Sequence, residues 1–178
     1  MTSKPNAKRM TWLGALFSLA LVVGITSVSE PANAQIGFPG EETKDDANQE
    51  LDKSLEATIA RGKAVYDGKC AFCHRADGKG VPASFPPLVA GTKFEAAPKI
   101  IDPLKERGLY ENGVIKLGTV EVQINVVLKG IPGTRMFAFE SQLTTQQAAD
   151  VVTYIRNAWS NNSGDLVTPA QIEAASGK

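Results

Sequence analysis

The chain has 178 residues, a length that favours one domain with extensions over two full domains. Its composition is that of an ordinary globular protein, with 43% hydrophobic and 21% charged residues. Its 19 basic and 19 acidic residues give a formal net charge of zero, and without a basic excess or a Lys/Arg block we expect no nucleic-acid binding. The rare residues are more informative: His74 is the only histidine, and Cys70 and Cys73 are the only cysteines.

The N-terminus has the pattern of an export signal. Basic residues up to Arg9 precede the uncharged, largely apolar residues 10–29, and 32–34 (Ala-Asn-Ala) matches the small-x-small cleavage pattern. We therefore predict a cleaved signal peptide over residues 1–34 and a periplasmic mature protein. The alternative is an uncleaved membrane anchor through residues 10–29, which are just long enough to cross a bilayer. Only in that case would the chain contact the membrane.

Residues 35–52 are rich in acidic side chains and poor in large apolar ones. Such a stretch cannot bury enough apolar surface to fold alone, so it predicts a flexible acidic linker. We expect the folded domain to span residues 53–162 and a C-terminal tail to span residues 163–178.

An amphipathic helix is predicted ahead of the cysteines. Its apolar face repeats at steps of three and four residues, through Leu51, Leu55, Ile59, Gly62 and Tyr66. Glycine inside a helix costs about 1 kcal/mol relative to alanine. Gly62 therefore indicates that another backbone crosses the helix at close range.

The sequence over residues 70–74 (Cys-Ala-Phe-Cys-His) is a C-x-x-C-H motif, which is typical of covalent haem attachment. The thiols of Cys70 and Cys73 form thioethers with the two vinyl groups of one haem, and the adjacent His74 then lies beneath the iron as its proximal axial ligand. A redox dithiol is disfavoured because no βαβ pattern surrounds the pair. A structural zinc site needs four nitrogen or sulfur ligands, and only three candidates exist. A plain disulfide is the third alternative.

Two segments after the motif are candidates for the surroundings of the haem. Pro86 and Pro87 hold their backbone extended, which brings a main-chain carbonyl within reach of His74. Such a carbonyl normally fixes the tautomer of a ligating histidine. Residues 93–118 either cover a haem edge or form a partner surface, and the sequence leaves both open.

Residues 120–128 give two conflicting signals. Apolar and polar residues alternate strictly from Val120 to Val126, which slightly favours a strand. The alternative is a short helix that ends at Gly130.

Met136 is the candidate for the second axial iron ligand. It lies in a Gly/Pro-rich loop, 62 residues after His74. A methionine of the core, the alternative role, normally lies on a periodic helix face. Histidine and methionine are the usual ligand pair of carriers with raised potentials.

A second long helix is predicted near the C-terminus. Thr144 and Gln147 have the spacing of a capping box, and Gly164 lies in the polar stretch that ends the helix. Its apolar face is formed by Ala148, Val151, Val152, Ile155 and Trp159. We expect this helix to cross the first one behind the haem.

The motifs at 62–66, 70–74, 85–88 and 133–136 resemble those of the class I cytochrome c family, across residues 55–159. The resemblance implies an all-α class I fold, in which the N- and C-terminal helices cross around one covalently bound haem c. It implies a helix at 120–128, and His74 and Met136 as axial ligands. It also implies the Pro86 carbonyl as the partner of His74.

Residues 126–136, 158–165 and 168–169 are similar to the cytochrome c domain fused to subunit II of some bacterial cytochrome c oxidases. The chain departs from the family where Phe137 follows Met136, because many relatives have proline there.

Two strong axial ligands leave no open iron site, which predicts an electron carrier rather than an enzyme. The leading hypothesis is a periplasmic carrier that passes electrons towards a terminal oxidase by outer-sphere transfer. The alternative is a cytochrome subunit that accepts electrons from a periplasmic dehydrogenase. Two further hypotheses are a haem-free thiol-disulfide protein and haem catalysis or gas sensing, which needs Met136 to leave the iron.

Overall fold

The structure is a computed structural model that describes residues 44–177. The predicted signal peptide and residues 35–43 of the predicted linker lie outside the described residues. Within them the chain forms α1 (Lys44–Lys69), α2 (Ala71–His74), α3 (Pro98–Glu106), α4 (Val120–Lys129), α5 (Thr145–Asn157) and α6 (Pro169–Ser176). A two-residue hairpin pairs β1 (Tyr110–Glu111) with β2 (Val114–Ile115) in antiparallel register. The predicted all-α architecture is confirmed, and no helix in this part of the chain is long and apolar enough to cross a membrane.

Helices α1 and α5 cross at Gly62, as predicted. A Cβ placed there would overlap the main-chain carbonyl of Asp150 and lie 2.7 Å from Cβ of Tyr154. Around the crossing, Tyr66, Val151 and Val152 are completely buried. The capping box of α5 is also present, since Thr144 and Gln147 each bond the other's backbone N–H. The absence of a side chain at Gly62 thus lets two backbones approach, and the core forms on both sides of the contact.

The predicted flexible linker is corrected over residues 44–52, which belong to α1. The stretch contains alanine, leucine, glutamate, glutamine and lysine, which are good helix formers. Extending an existing helix adds one hydrogen bond for each residue that is fixed, without a new nucleation cost. Residues 44–52 are too polar to fold alone, but they form the first turns of α1, whose later residues pack against the core.

The predicted C-terminal tail is also corrected, because residues 163–178 include α6 and contribute to the core. Val167 and Ile172 are only 2% and 3% exposed and pack in the same cluster as α4 and α5. Thr168 and Gln171 form a capping box at the start of α6. The folded domain consequently extends beyond residue 162.

Residues 120–128 are helical, so the slight preference for a strand was wrong and the helix implied by the resemblance is confirmed. The buried residues of α4 are Ile124, Val127 and Leu128, a spacing that only a helix brings to one face. The Thr119 side chain caps the first turn by accepting a hydrogen bond from the Val122 N–H at 3.2 Å.

Helix α3 and the hairpin build a second apolar cluster. Its buried members are Phe94, Ile101, Leu104, Ile115 and Ile131. Met136 packs against this cluster, whereas Cys70 packs against the first.

Candidate functional site

A cavity of about 510 Å³ brings together all five residues that the sequence indicated. Cys70, Cys73, His74, Pro86 and Met136 line it, and most of the remaining wall is apolar. Its volume lies within the range of about 300–1,000 Å³ that is usual for cofactor sites. Two thiols, an imidazole and a thioether around a large apolar cavity fit haem c.

His74 is oriented by the carbonyl group predicted to be its partner. Its Nδ1 lies 2.9 Å from the Pro86 carbonyl oxygen, and the residue is 8% exposed. Since a carbonyl oxygen can only accept, Nδ1 carries the proton and Nε2 keeps its lone pair. Burial lowers the pKa of His74, although the hydrogen bond to Pro86 opposes this effect. The imidazole is thus held neutral, the form that binds a metal.

Two aromatic side chains hold the backbone directly after His74. The Tyr66 hydroxyl donates to the Arg75 carbonyl at 2.6 Å, and the Trp159 indole N–H donates to the Ala76 carbonyl at 3.1 Å. Their rings pack at a centroid distance of 5.3 Å, and Tyr154 completes an aromatic trio. Burial raises the pKa of Tyr66. The sequence pattern placed Tyr66 and Trp159 on apolar helix faces, and their hydroxyl and indole N–H groups were the signal for these hydrogen bonds that was missed.

The two cysteines lie at the start and within the single turn of α2. Both line the cavity and neither forms a disulfide. Burial, with a smaller effect from Cys73, raises the pKa of the Cys70 thiol to about 11. Among the described residues, no group of three or more histidine, cysteine, aspartate or glutamate side chains could hold a metal ion.

The loop that carries Met136 is closed by hydrogen bonds. The Ile131 N–H donates to the Met136 carbonyl at 2.9 Å. The Thr134 hydroxyl donates to the Ile131 carbonyl at 2.8 Å and accepts from the Met136 N–H at 3.1 Å. Gly130, at a φ of 67°, leaves room for this loop, because a Cβ there would lie 2.5 Å from the Met136 carbonyl oxygen.

Residues 93–118 contribute one wall of the cavity through Ile100, Leu104, Leu109 and Ile115. Gln123 of α4 lies on the same cavity, and its amide nitrogen donates to the Leu117 carbonyl at 2.7 Å. Its buried oxygen has no hydrogen-bond partner within residues 44–177. Residues 93–118 thus form part of the cavity wall.

The charged side chains around the cavity are all basic. They are Lys69, Lys99, Lys116 and Arg135, and none of the described lining residues is acidic. Phe137 also lines the cavity and is 68% exposed. Lys116 is paired with Glu111 at 3.2 Å. Basic side chains and an exposed aromatic ring thus lie around the cavity.

Comparison with known proteins shows which proteins this chain is similar to. The Cytochrome c family model matches residues 59–159, more than half of the chain. The chain is 32% identical, over 114 residues or 63% of its length, to the protein named "Alcohol dehydrogenase (quinone), cytochrome c subunit" of Gluconobacter oxydans. It is 31% identical over 62% of its length to the "Gluconate 2-dehydrogenase cytochrome c subunit" of Pantoea cypripedii. The matches span only 21% and 23% of those two proteins.

A smaller relative is cytochrome c-552 of Thermus thermophilus, which is 32% identical over 105 residues. That match covers 59% of the chain and 64% of the relative. The similarity therefore covers the part of the chain that surrounds the cavity.

Proposed function

The chain belongs to the cytochrome c family, electron carriers with an all-α class I fold and covalently attached haem c, and we propose that it accepts electrons from a periplasmic dehydrogenase. The observation that carries this proposal is the similarity to cytochrome c subunits named for alcohol and gluconate dehydrogenases. Those relatives do not support delivery to a terminal oxidase, or the likeness to oxidase subunit II, and both stay predictions.

Four residues hold the cofactor in this proposal. Cys70 and Cys73 form the thioethers, His74 is the proximal ligand and Met136 is the distal ligand. The support is that all four line one cavity and that the hydrogen bond to Pro86 leaves Nε2 of His74 free for a metal. Haem supplies a one-electron iron couple when bound. The chain itself orients the imidazole and the thioether and surrounds them with apolar side chains.

In this proposal the partner docks on the basic side chains around the cavity, Lys69, Lys99 and Arg135 among them. The basic side chains there favour a partner with an acidic docking face, which speeds encounter more than it raises affinity. An exposed aromatic ring such as Phe137 is the type of residue that anchors an interface. A basic, partly apolar surface next to the cofactor suits brief docking and rapid electron exchange.

We further propose that residues 1–34 direct export and are removed, as the residue pattern indicates. Intact mass measurement of the exported holoprotein tests this. A mature chain that begins at Gln35 supports cleavage, whereas a full-length chain in the membrane fraction supports the anchor through residues 10–29.

The first experiment is an optical spectrum of the exported protein, oxidised and reduced. We expect the reduced bands of haem c and the weak near-infrared band of sulfur-to-ferric-iron charge transfer. Met136→Ala should abolish the sulfur band. A protein without haem would refute the assignment, and a wild-type protein with haem but without the sulfur band would remove Met136 from the ligand set.

The partner is tested with a quinone-dependent alcohol dehydrogenase stripped of its own cytochrome c subunit. With alcohol present, we expect saturable reduction of the haem that slows as salt is added. Lys69→Gln with Arg135→Gln should weaken that salt dependence. Lys53→Gln is the matched control, because Lys53 is exposed on α1 and does not line the cavity. Reduction by the dehydrogenase at background rate, with rapid oxidation by a terminal oxidase, would favour the oxidase hypothesis instead.

A further inference from the structure

We propose that Thr134 is a positioning residue for Met136, and this inference rests on the ligand set proposed above. Two backbone hydrogen bonds shape the loop that presents Met136: the Ile131 N–H donates to the Met136 carbonyl at 2.9 Å, and the Thr134 N–H donates to the Ile131 carbonyl at 3.1 Å. The Thr134 hydroxyl adds the side-chain hydrogen bonds. Pro132, Gly133 and Arg135 are exposed, and a Cβ placed on Gly133 would meet no atom within 4 Å. Methionine also has three rotatable bonds, so a loosely held loop would present its sulfur in many positions.

The Thr134 hydroxyl uses both its hydrogen-bonding capacities inside this loop. It donates to the Ile131 carbonyl at 2.8 Å and accepts from the Met136 N–H at 3.1 Å. The same Ile131 residue donates its own N–H to the Met136 carbonyl at 2.9 Å. The hydroxyl therefore joins the start of the loop to the residue that bears the thioether.

Ile131 is a firm point of attachment. Its side chain is buried in the second apolar cluster, against which Met136 also packs. Threonine is restricted at χ1 by its branched Cβ, so its hydroxyl is pre-oriented for these two bonds. The Thr134 hydroxyl thus adds to the backbone bonds a side-chain link between Ile131 and the N–H of Met136. In this proposal the link lowers the frequency with which the Met136 sulfur leaves its position.

The test uses haem-loaded protein and imidazole as the probe, because imidazole binds ferric iron only when the sixth position opens. Thr134→Val keeps the shape of the side chain and removes the hydroxyl. The loss of its hydrogen bonds should raise the imidazole association constant about tenfold, which corresponds to about 1.4 kcal/mol. Thr134→Ser keeps the hydroxyl and should stay within about twofold of the wild type. Thr134→Ala serves the same purpose if the valine variant does not accumulate.

Thr144→Val is the matched control. Its hydroxyl also accepts a backbone N–H at 3.1 Å, from Gln147, but it caps α5 and lies outside the ligand loop. It should lower stability and leave imidazole binding unchanged. Equal imidazole binding by the wild type and Thr134→Val, or an equal rise in both valine variants, would overturn the inference. A wild type without the sulfur band would instead refute the ligand set, so the two failures are distinguishable.

Discussion

Replacing Gly62 with alanine tests the helix crossing, because two effects of opposite sign compete there. In an isolated helix the change would stabilise by about 1 kcal/mol. At Gly62 the new Cβ would overlap the Asp150 carbonyl, which is main chain and has no rotamer by which to move away. Overpacking costs about 1–3 kcal/mol, and a backbone clash lies at the upper end. We therefore expect a net loss of about 2 kcal/mol in the free energy of unfolding.

Gly68 in the same helix is the matched control. A Cβ there would meet nothing within 4 Å, so Gly68→Ala should gain about 0.5–1 kcal/mol. Denaturant unfolding of the two haem-loaded variants, followed by far-ultraviolet circular dichroism, measures both effects. If Gly62→Ala unfolds at the same denaturant concentration as Gly68→Ala, the close crossing is not what limits this position and the reasoning fails.

Three further substitutions test the polar contacts of the fold. Asp150 is 4% exposed at its side chain and accepts two bonds from Arg61 at 2.9 Å, so Asp150→Ala should cost about 1–3 kcal/mol on denaturant unfolding; an unchanged midpoint would contradict this. Burial alone would raise the pKa of Asp165, but hydrogen bonds and the charge of Arg156 outweigh burial and lower the pKa. The ionised carboxylate therefore stabilises the folded protein fully above about pH 4, and this stabilisation is lost as the pH falls through the folded-state pKa. Asp165→Asn should therefore lower stability at pH 7 and match the wild type at the acid limit, and a constant difference at every pH would argue against it. Tyr66→Phe removes the donor to a carbonyl and should cost about 1 kcal/mol in the same assay, whereas a more stable variant would show that this bond contributes nothing.

Local patterns predicted the helix crossing and the cavity residues because each depends on few neighbours. The spacing of 70–74 places two thiols and an imidazole within one turn, whatever the rest of the chain does. Gly62 indicated a close approach because a helix rarely keeps glycine without a packing reason. The capping box at Thr144 was equally local, and the structure contains it.

The wrong predictions share a cause, since each considered a segment apart from the rest of the fold. Residues 44–52 were judged too polar to fold alone, and residues 163–178 were expected to be a tail. The first stretch continues a packed helix, and the second buries Val167 and Ile172 against the core. The capping box at Thr168 was a readable signal for α6. In residues 120–128 apolar and polar residues do alternate, but the segment is a helix because packing against the core buries Ile124, Val127 and Leu128, which share one helical face.

The contacts made by Thr134 and Gln123 were beyond sequence analysis for a different reason. Both are hydrogen bonds to main-chain carbonyls whose positions depend on the path of a loop. No sequence pattern around Thr134 or Gln123 indicates such a hydrogen bond. The same holds for the wall formed by residues 93–118, whose role depends on how α3 and the hairpin fold back over the cavity.

The hydrogen bonds from Tyr66 and Trp159 to the two carbonyls after His74 affect the rate of electron transfer. An electron crosses between two proteins fastest when the atoms around the metal need little rearrangement between the oxidised and reduced states. The His74 imidazole is fixed by the Pro86 carbonyl, and the backbone after it is held at two points, so both have little freedom to move. Close-packed interiors are also barely compressible, and the aromatic trio lies directly behind that backbone. The aromatic trio would then keep the reorganisation energy of electron transfer low.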